Sequence, residues 1–286
     1  MIGAALRHWR DEVGDVTALG AVRVALGLML LHGAVRAARE LSAGYFGDVF
    51  HWSMLPEALV PSRAVYTVLV AALGLLAVLV VAGLRSREAM LASALLGTYL
   101  LSCDRLQFHH NRWALLCMAL LVSLSPCDRT FRIGGASAPA VGPLWPVRLA
   151  QLQVSIVYLA SGGSKLFDAD WRGGQVLLER FHLYASQAID AGVPAGILAW
   201  LSHPDVTGAL AKLAIGTELL LALGLWLRRT RWIALALGMI FHGIIEVTAR
   251  VEGFSWLMLA SYGLFFLPEL GALRARFGRH GGPPVK

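Results

Sequence analysis

Lysine is nearly missing from this sequence. The 25 basic residues include only Lys165, Lys212 and Lys286. The rest are arginines, spread between apolar stretches rather than gathered in a patch. The net charge of +7 therefore does not describe a nucleic-acid surface, and no nucleic-acid partner is expected; the pattern is that of anchors flanking membrane segments. Charge of either sign is scarce, at 15% of residues. Cysteine is scarcer still: Cys103, Cys117 and Cys127 form no CxxC pair, and three cysteines show no disulfide framework. Nucleotide and hydrolase signatures are absent too, with no Walker motif, no GxGxxG and no GxSxG. The N-terminus, "MIGAALRHWRDEVGDV", lacks the order of a cleaved signal peptide, so the first apolar segment is expected to direct insertion.

What the chain has in plenty is apolar length. Hydrophobic residues make up 57% of 286, and the mean hydropathy is +0.63. That composition places it among integral membrane proteins. Eight apolar segments stand out, at about 16–36, 64–84, 89–103, 112–126, 145–163, 206–227, 231–248 and 254–267. Backbone amides cannot stay unpaired in lipid, so all eight are expected to be helices. The expected fold is all-α: a polytopic helix bundle with about eight transmembrane helices. Segments 89–103 and 254–267 are short for full spans.

Residues 171–190, "WRGGQVLLERFHLYASQAID", are too polar to cross. Leu177, Phe181 and Tyr184 share one helical face, while Glu179, Arg180 and His182 project elsewhere. An interfacial helix is expected, with Asp170 as its N-cap. Residues 1–270 form one transmembrane domain, and 271–286 read as a basic cytoplasmic tail. Basic residues divide 14 against 9 between the two sides, which puts both termini in the cytoplasm. The Arg, Ala, Leu and Gly bias suggests a bacterial source and hence an inner-membrane location, with lipids as the immediate partners.

The outward loops under this topology carry most of the unusual chemistry: "ELSAGYFGDVFHWSMLPEALVP", "CDRLQFHHNR", "SKLFDADWRGG" and "ARVEG". The inward loops are plainer. Within the 145–163 segment, Gln151, Ser155, Tyr158, Gly162 and Lys165 fall on one side of the helix, and the rest of its surface is aliphatic. This stripe is expected to face the bundle interior and to end at Lys165. Burial disfavours the charged form of an amine and can make a lysine a base near neutral pH. The plainer reading is a lysine reaching toward the headgroups from a helix end, with Trp171 as an interface anchor.

Arg23, Lys212, Glu218, His242 and Glu246 also lie inside apolar segments, where a charge is costly and seeks a partner. His242 and Glu246, four residues apart, share a face. Arg23 is a candidate partner for Glu218. His109, His110, His242 and Glu246 show no metal-ligand spacing, and no metal site is expected. "HHN" reads as a helix start with Asn111 as cap.

The segment "QLQVSIVYLASGGSKLFDADWRGG" resembles the vitamin K-dependent γ-carboxylase family, within the broader group of horizontally transferred transmembrane (HTTM) domain proteins. In that family a Q-x-x-I-V-Y helix ends in K-L-x-D-x-D-W-x-x-G. "FHGIIEVTARVEGFSWLMLASYGLFF" is a second match, and the arginine early in "AVRVALGLMLL" a third. The resemblance implies that Lys165 is a base acting on a quinol-type or other lipid-soluble substrate, with a reduced quinone as the compound consumed. It implies that His109 or His110 stabilises developing negative charge or helps transfer protons. Tyr158, Asp168, Asp170, Trp171, His242 and Glu246 would shape the substrate site. The animal carboxylase has a large lumenal C-terminal domain; this chain ends soon after its last apolar segment, so recognition of a protein substrate is not expected. The alternative is non-enzymatic: a membrane scaffold, or a maturation or immunity factor that binds a small membrane peptide.

Overall fold

The computed structural model describes residues 9–47, 51–135, 140–190, 192–248, 251–267 and 269. Each of the eight apolar segments is helical, and the chain divides into two compact units, residues 1–151 with 266–286 and residues 152–265. The tail expected at 271–286 lies outside the described residues.

The first unit holds helices α1 (Leu19–Ser42), α2 (Arg63–Ala82), α3 (Ser86–Ser102) and α4 (His110–Ser123). Strands β1 (Val13–Asp15) and β2 (Val141–Pro143) pair antiparallel, a ribbon that the hydropathy pattern does not announce. Helix α5 (Trp145–Phe167) begins in this unit and continues into the second. Helices α1 and α2 cross tightly at Gly27, where a side chain would meet Val80 and Val81 at 2.8 Å. Small residues at such crossings let backbones approach. Gly83, in the left-handed region, ends α2; its N–H and that of Leu84 satisfy the carbonyls of Val80 and Leu79.

Arg23 does not pair with Glu218 as expected. It is fully buried and donates to three backbone carbonyls: Cys127 O and Thr130 O, each at 3.1 Å, and Phe131 O at 2.5 Å. Carbonyls in a turn cannot find partners in helix or sheet, and one planar guanidinium with five donors can serve several at once. The same turn also reaches the residues just before α1 through Thr130 Oγ1, which donates to Thr17 O at 2.6 Å. Gly20 permits this approach, since a side chain there would lie 2.5 Å from Thr130 O.

The loop after α1 is pinned by the buried Asp104. Its carboxylate accepts from Tyr45 Oη at 2.9 Å and from the backbone N–H groups of Trp52 and Leu106 at 3.0 and 2.9 Å. Burial, with the Asp104 hydrogen bond adding to it, pushes the Tyr45 phenol well up from its ordinary value. Phe46 stacks on Tyr66 at 4.2 Å and on His51 at 4.5 Å, closing this end of the core.

The second unit holds the remainder of α5, then α6 (Ala169–Gly173), α7 (Gln175–Asp190), α8 (Ala195–Leu201), α9 (Pro204–Gly224), α10 (Arg231–Thr248) and α11 (Phe254–Tyr262). Residues 171–190 are not one helix. Gly174 adopts φ +84° and separates α6 from α7, and a side chain there would clash with the backbone of Thr207 and Gly208 at 2.4–2.5 Å. The cap is Asp168 rather than Asp170: its Oδ1 accepts from the N–H groups of Asp170 at 2.9 Å and Trp171 at 3.2 Å. Along α7, Phe181 and Ala188 are buried, Leu177 and Tyr184 half-buried, and Glu179, Arg180 and His182 exposed, so the helix is amphipathic.

Helices α1, α2 and α9 are long and apolar enough to cross a membrane. Much of their apolar surface faces outward, with Val68 67% and Leu213 65% exposed. In water such faces would be a liability; against hydrocarbon they are neutral. By contrast, α4 has 14 residues, which at 1.5 Å each reaches about 21 Å, short of the roughly 30 Å hydrocarbon core.

Replacing Arg23 by Leu should destabilise the protein by about 3 kcal/mol or more, because buried carbonyls lose charged donors. Cys103 and Cys127 are free and fully buried, so a thiol-reactive dye reports thermal unfolding in detergent directly. The expected result is a clearly lower melting temperature for Arg23→Leu. Arg10→Ala, which removes an exposed pair with the neighbouring Asp11, should melt within error of wild type.

Candidate functional site

The polar stripe of α5 is buried. Gln151 is 3% exposed, Ser155 5% and Tyr158 0%, and Gly162 is buried one turn further on. Ile156 and Leu159, on other faces of the helix, are 54% and 43% exposed. The α-helical period thus sorts this sequence into one inward polar edge and an outward aliphatic surface.

In the second unit the stripe meets α9 first. Ser155 Oγ donates to Ala222 O at 2.8 Å and accepts from Trp226 Nε1 at 2.7 Å. Gly162 packs against Glu218 Cβ, where a side chain would come within 3.2 Å. Lys165 Nζ then lies 2.5 Å from Glu218 Oε1 and 3.0 Å from Ser161 Oγ, while Ser161 Oγ also donates to Glu218 Oε1 at 3.0 Å. The side chains of Lys165 and Glu218 are only 16% and 2% exposed. Trp171, on the short helix capped by Asp168, places its ring 4.9 Å from Nζ. Lysine, serine and glutamate therefore form a closed triangle roofed by an indole. Glu218 Oε2 is buried with no hydrogen-bond partner.

Two turns back along α5, Tyr158 Oη sits 2.6 Å from both His242 Nε2 and Tyr262 Oη. One hydroxyl proton serves two short contacts, so the three groups must act in series. Either Tyr262 donates to Tyr158 and Tyr158 to His242, or the direction is reversed. The His242 ring is fully buried, packs edge-on to Phe241 and Phe254, and leaves Nδ1 without a partner. Such a chain can pass a proton along its length by reversing all its donors. Glu246, one turn after His242, accepts from Trp256 Nε1 at 3.3 Å.

The structure brings together Lys165, Trp171, Tyr158 and His242 within this unit and adds Glu218, Ser161 and Tyr262. Glu218 stands out in the sequence as an acid inside an apolar helix, but nothing local identifies its partner. Asp168 acts as a helix cap, and Asp170 is exposed in the first turn of α6. His109 and His110 belong to the first unit. There His109, not Asn111, caps α4: its Nδ1 accepts from Asn111 N–H at 3.2 Å. That bond fixes the tautomer with hydrogen on Nε2. His110 is exposed and meets Phe108 edge to face at 5.4 Å. Among the described residues, no group of three or more His, Cys, Asp or Glu side chains is arranged to hold a metal ion.

The Lys165–Glu218 pair makes a stability claim of its own. Removing one partner of a buried ion pair leaves the other uncompensated and costs about 3–5 kcal/mol, whereas an apolar replacement of both is close to neutral. Glu218→Ala should therefore lower the melting temperature sharply, and Lys165→Met with Glu218→Leu should recover most of the loss. A double variant no more stable than Glu218→Ala would mean that the two side chains are not coupled.

No curated protein and no solved structure matches the chain. The family model for the HTTM domain matches residues 12–269. A match over that share of the sequence shows that the chain, an integral membrane protein, belongs to the HTTM domain family.

Proposed function

We propose that this protein is a membrane enzyme of the carboxylase-like branch of its family, and that Lys165 removes a proton from an acidic hydroxyl of a lipid-soluble substrate of the quinol type. The observation that carries the reading is the buried contact of Lys165 Nζ with Glu218 Oε1 at 2.5 Å. A lysine that only anchors a helix end has no need of a carboxylate 2% exposed behind it. Glu218 is positioned to take a proton from Nζ and leave the amine free. Neutral Lys165 then accepts the substrate hydroxyl proton, and the substrate leaves as its conjugate anion.

Geometry supports roles for the neighbours. Trp171 covers Nζ, so substrate reaching the amine would displace or slide along the indole, a surface suited to a flat aromatic ring. The Tyr262–Tyr158–His242 chain offers a route for protons through otherwise apolar packing. Of the two histidines of the first unit, His109 is the better donor, because its Nε2 carries the hydrogen. Asp168 caps the Trp171 helix, Asp170 adds a negative charge to its first turn, and Glu246 orients Trp256. In this reading the remaining apolar helices join α1, α2 and α9 in a bundle of about eight. Helix α7 lies along the outer interface, and both termini are in the cytoplasm of a bacterial inner membrane.

The scaffold reading has one observation in its favour: the same triangle also locks α5 to α9 and needs no chemistry to be useful. Arginine separates the two, since it keeps the charge and can contact Glu218 but cannot serve as a base near neutral pH. The test follows oxidation of a short-chain naphthoquinol by dissolved dioxygen, to naphthoquinone and hydrogen peroxide, with purified protein in detergent, because the anion that Lys165 would release gives up electrons to dioxygen more readily than the neutral quinol. Wild type should consume it well above the protein-free rate, and Lys165→Arg should fall to that background while staying folded. Equal rates for wild type and Lys165→Arg would overturn the base and leave the helix lock.

A further inference from the structure

A groove of about 510 Å³ runs along the outside of the α1–α2 pair in the first unit. Its floor is apolar, formed by Leu31, Ala34, Val70 and Gly74, with the exposed Ala71 on its wall. Polar groups occur only at one end, where Ser42, Arg63 and Thr67 gather. Helices α1 and α2 are two of the three described helices long and apolar enough to cross a membrane, which would set this groove against hydrocarbon.

Three features narrow what fills it. The first is length. From Ser42 to Leu31 the groove follows twelve residues of α1, eleven rises or about 16 Å of helix. That is close to half of the roughly 30 Å hydrocarbon core, the depth of one leaflet.

The second is charge. Arg63 is the first residue of α2, and that helix has no acid in its first turn. A helix N-terminus already carries positive partial charge, so a basic residue there is unfavourable unless an anion answers both. The acid at this end of α1, Glu40, lies 3.7 Å from Arg36.

The third is donor supply. Arg63 uses Nη2 to donate to Leu41 O at 2.9 Å, which fixes the guanidinium at the groove's end with other N–H groups still to place. The hydroxyls of Ser42 and Thr67 donate into their own helices, to Arg39 O and Arg63 O, so the guanidinium rather than these hydroxyls would answer an anion.

We propose that this groove is a binding site for one anionic phospholipid, with an acyl chain lying between α1 and α2 and the headgroup phosphate held by Arg63 at the start of α2. The site is independent of the chemistry proposed at Lys165. It would tie the first helix pair to a defined depth in the leaflet.

Native mass spectrometry of the full chain, released from mild detergent with dioleoyl phosphatidylglycerol or dioleoyl phosphatidylcholine, tests the assignment. The chains are the same, so any difference reports the headgroup. Wild type should retain phosphatidylglycerol about five-fold more than phosphatidylcholine, the worth of one basic residue at a charged membrane surface. Arg63→Gln should lower retention of both lipids, which share the phosphate, and lower phosphatidylglycerol more, bringing the two to parity. Ala71→Phe, at an exposed position, should fill the groove and reduce both. Gly74→Leu is a second filling variant should the first disturb folding, and the melting temperature of each variant reports that directly. Undiminished phosphatidylglycerol preference in Arg63→Gln, or unchanged retention of both lipids in folded Ala71→Phe or Gly74→Leu, would overturn the site and leave ordinary annular lipid.

Discussion

The second unit depends on one ion pair. Lys165 and Glu218 are more than fifty residues apart in sequence, yet their charged atoms lie 2.5 Å from each other inside an apolar setting. Neither charge could be buried alone at tolerable cost. The pair therefore fixes the register of α5 against α9, and the rest of the polar edge follows from it. Ser161 completes the triangle, Gly162 lets the helices close, and Ser155 reaches Ala222 two turns away. Trp171 reaches Nζ because Asp168 stops α5 and starts the next short helix at once.

The first unit solves the same problem with different chemistry. Its buried cation, Arg23, meets no acid but three carbonyls of a turn that has no regular structure to satisfy them. Arginine suits that task because its donors are planar and spread; lysine suits the other because a compact ammonium can hand over a proton. The near absence of lysine from the chain acquires meaning here. Anchoring and stapling fall to arginine, and among the described residues Lys165 is the lysine held against a buried acid, a placement on which the proposed proton transfer rests.

Much of the fold was legible. Hydropathy located all eight apolar helices, because period and length are properties of a local window. The α5 stripe was legible for the same reason: Gln151, Ser155, Tyr158 and Gly162 are spaced by helical turns whatever surrounds them. Pairings across the chain were not. Arg23 and Glu218 looked like natural partners, being opposite charges in apolar segments, but the backbone carbonyls that claim Arg23 carry no sequence signal. The β1–β2 ribbon joins two three-residue strands more than 120 positions apart, too short to show alternation. The caps were misplaced by two residues, to Asp170 and Asn111. Two candidate side chains lay within one turn in each case, and the true helix start chose Asp168 and His109. That Gly174 breaks the helix follows from the close approach of α9, which only packing reveals.

The central claim is that Lys165 turns inward onto Glu218 instead of reaching out to the headgroups. With only three lysines in the chain, the reactivity of each can be followed separately. Brief treatment of the detergent-solubilised protein with a water-soluble amine reagent, read by peptide mass spectrometry, gives the extent of modification at Lys165 relative to Lys286. The account predicts that Lys165 is strongly protected in the wild type and becomes reactive in Glu218→Ala. Modification of wild-type Lys165 as fast as Lys286 would contradict it, and the lysine would be a helix-end anchor.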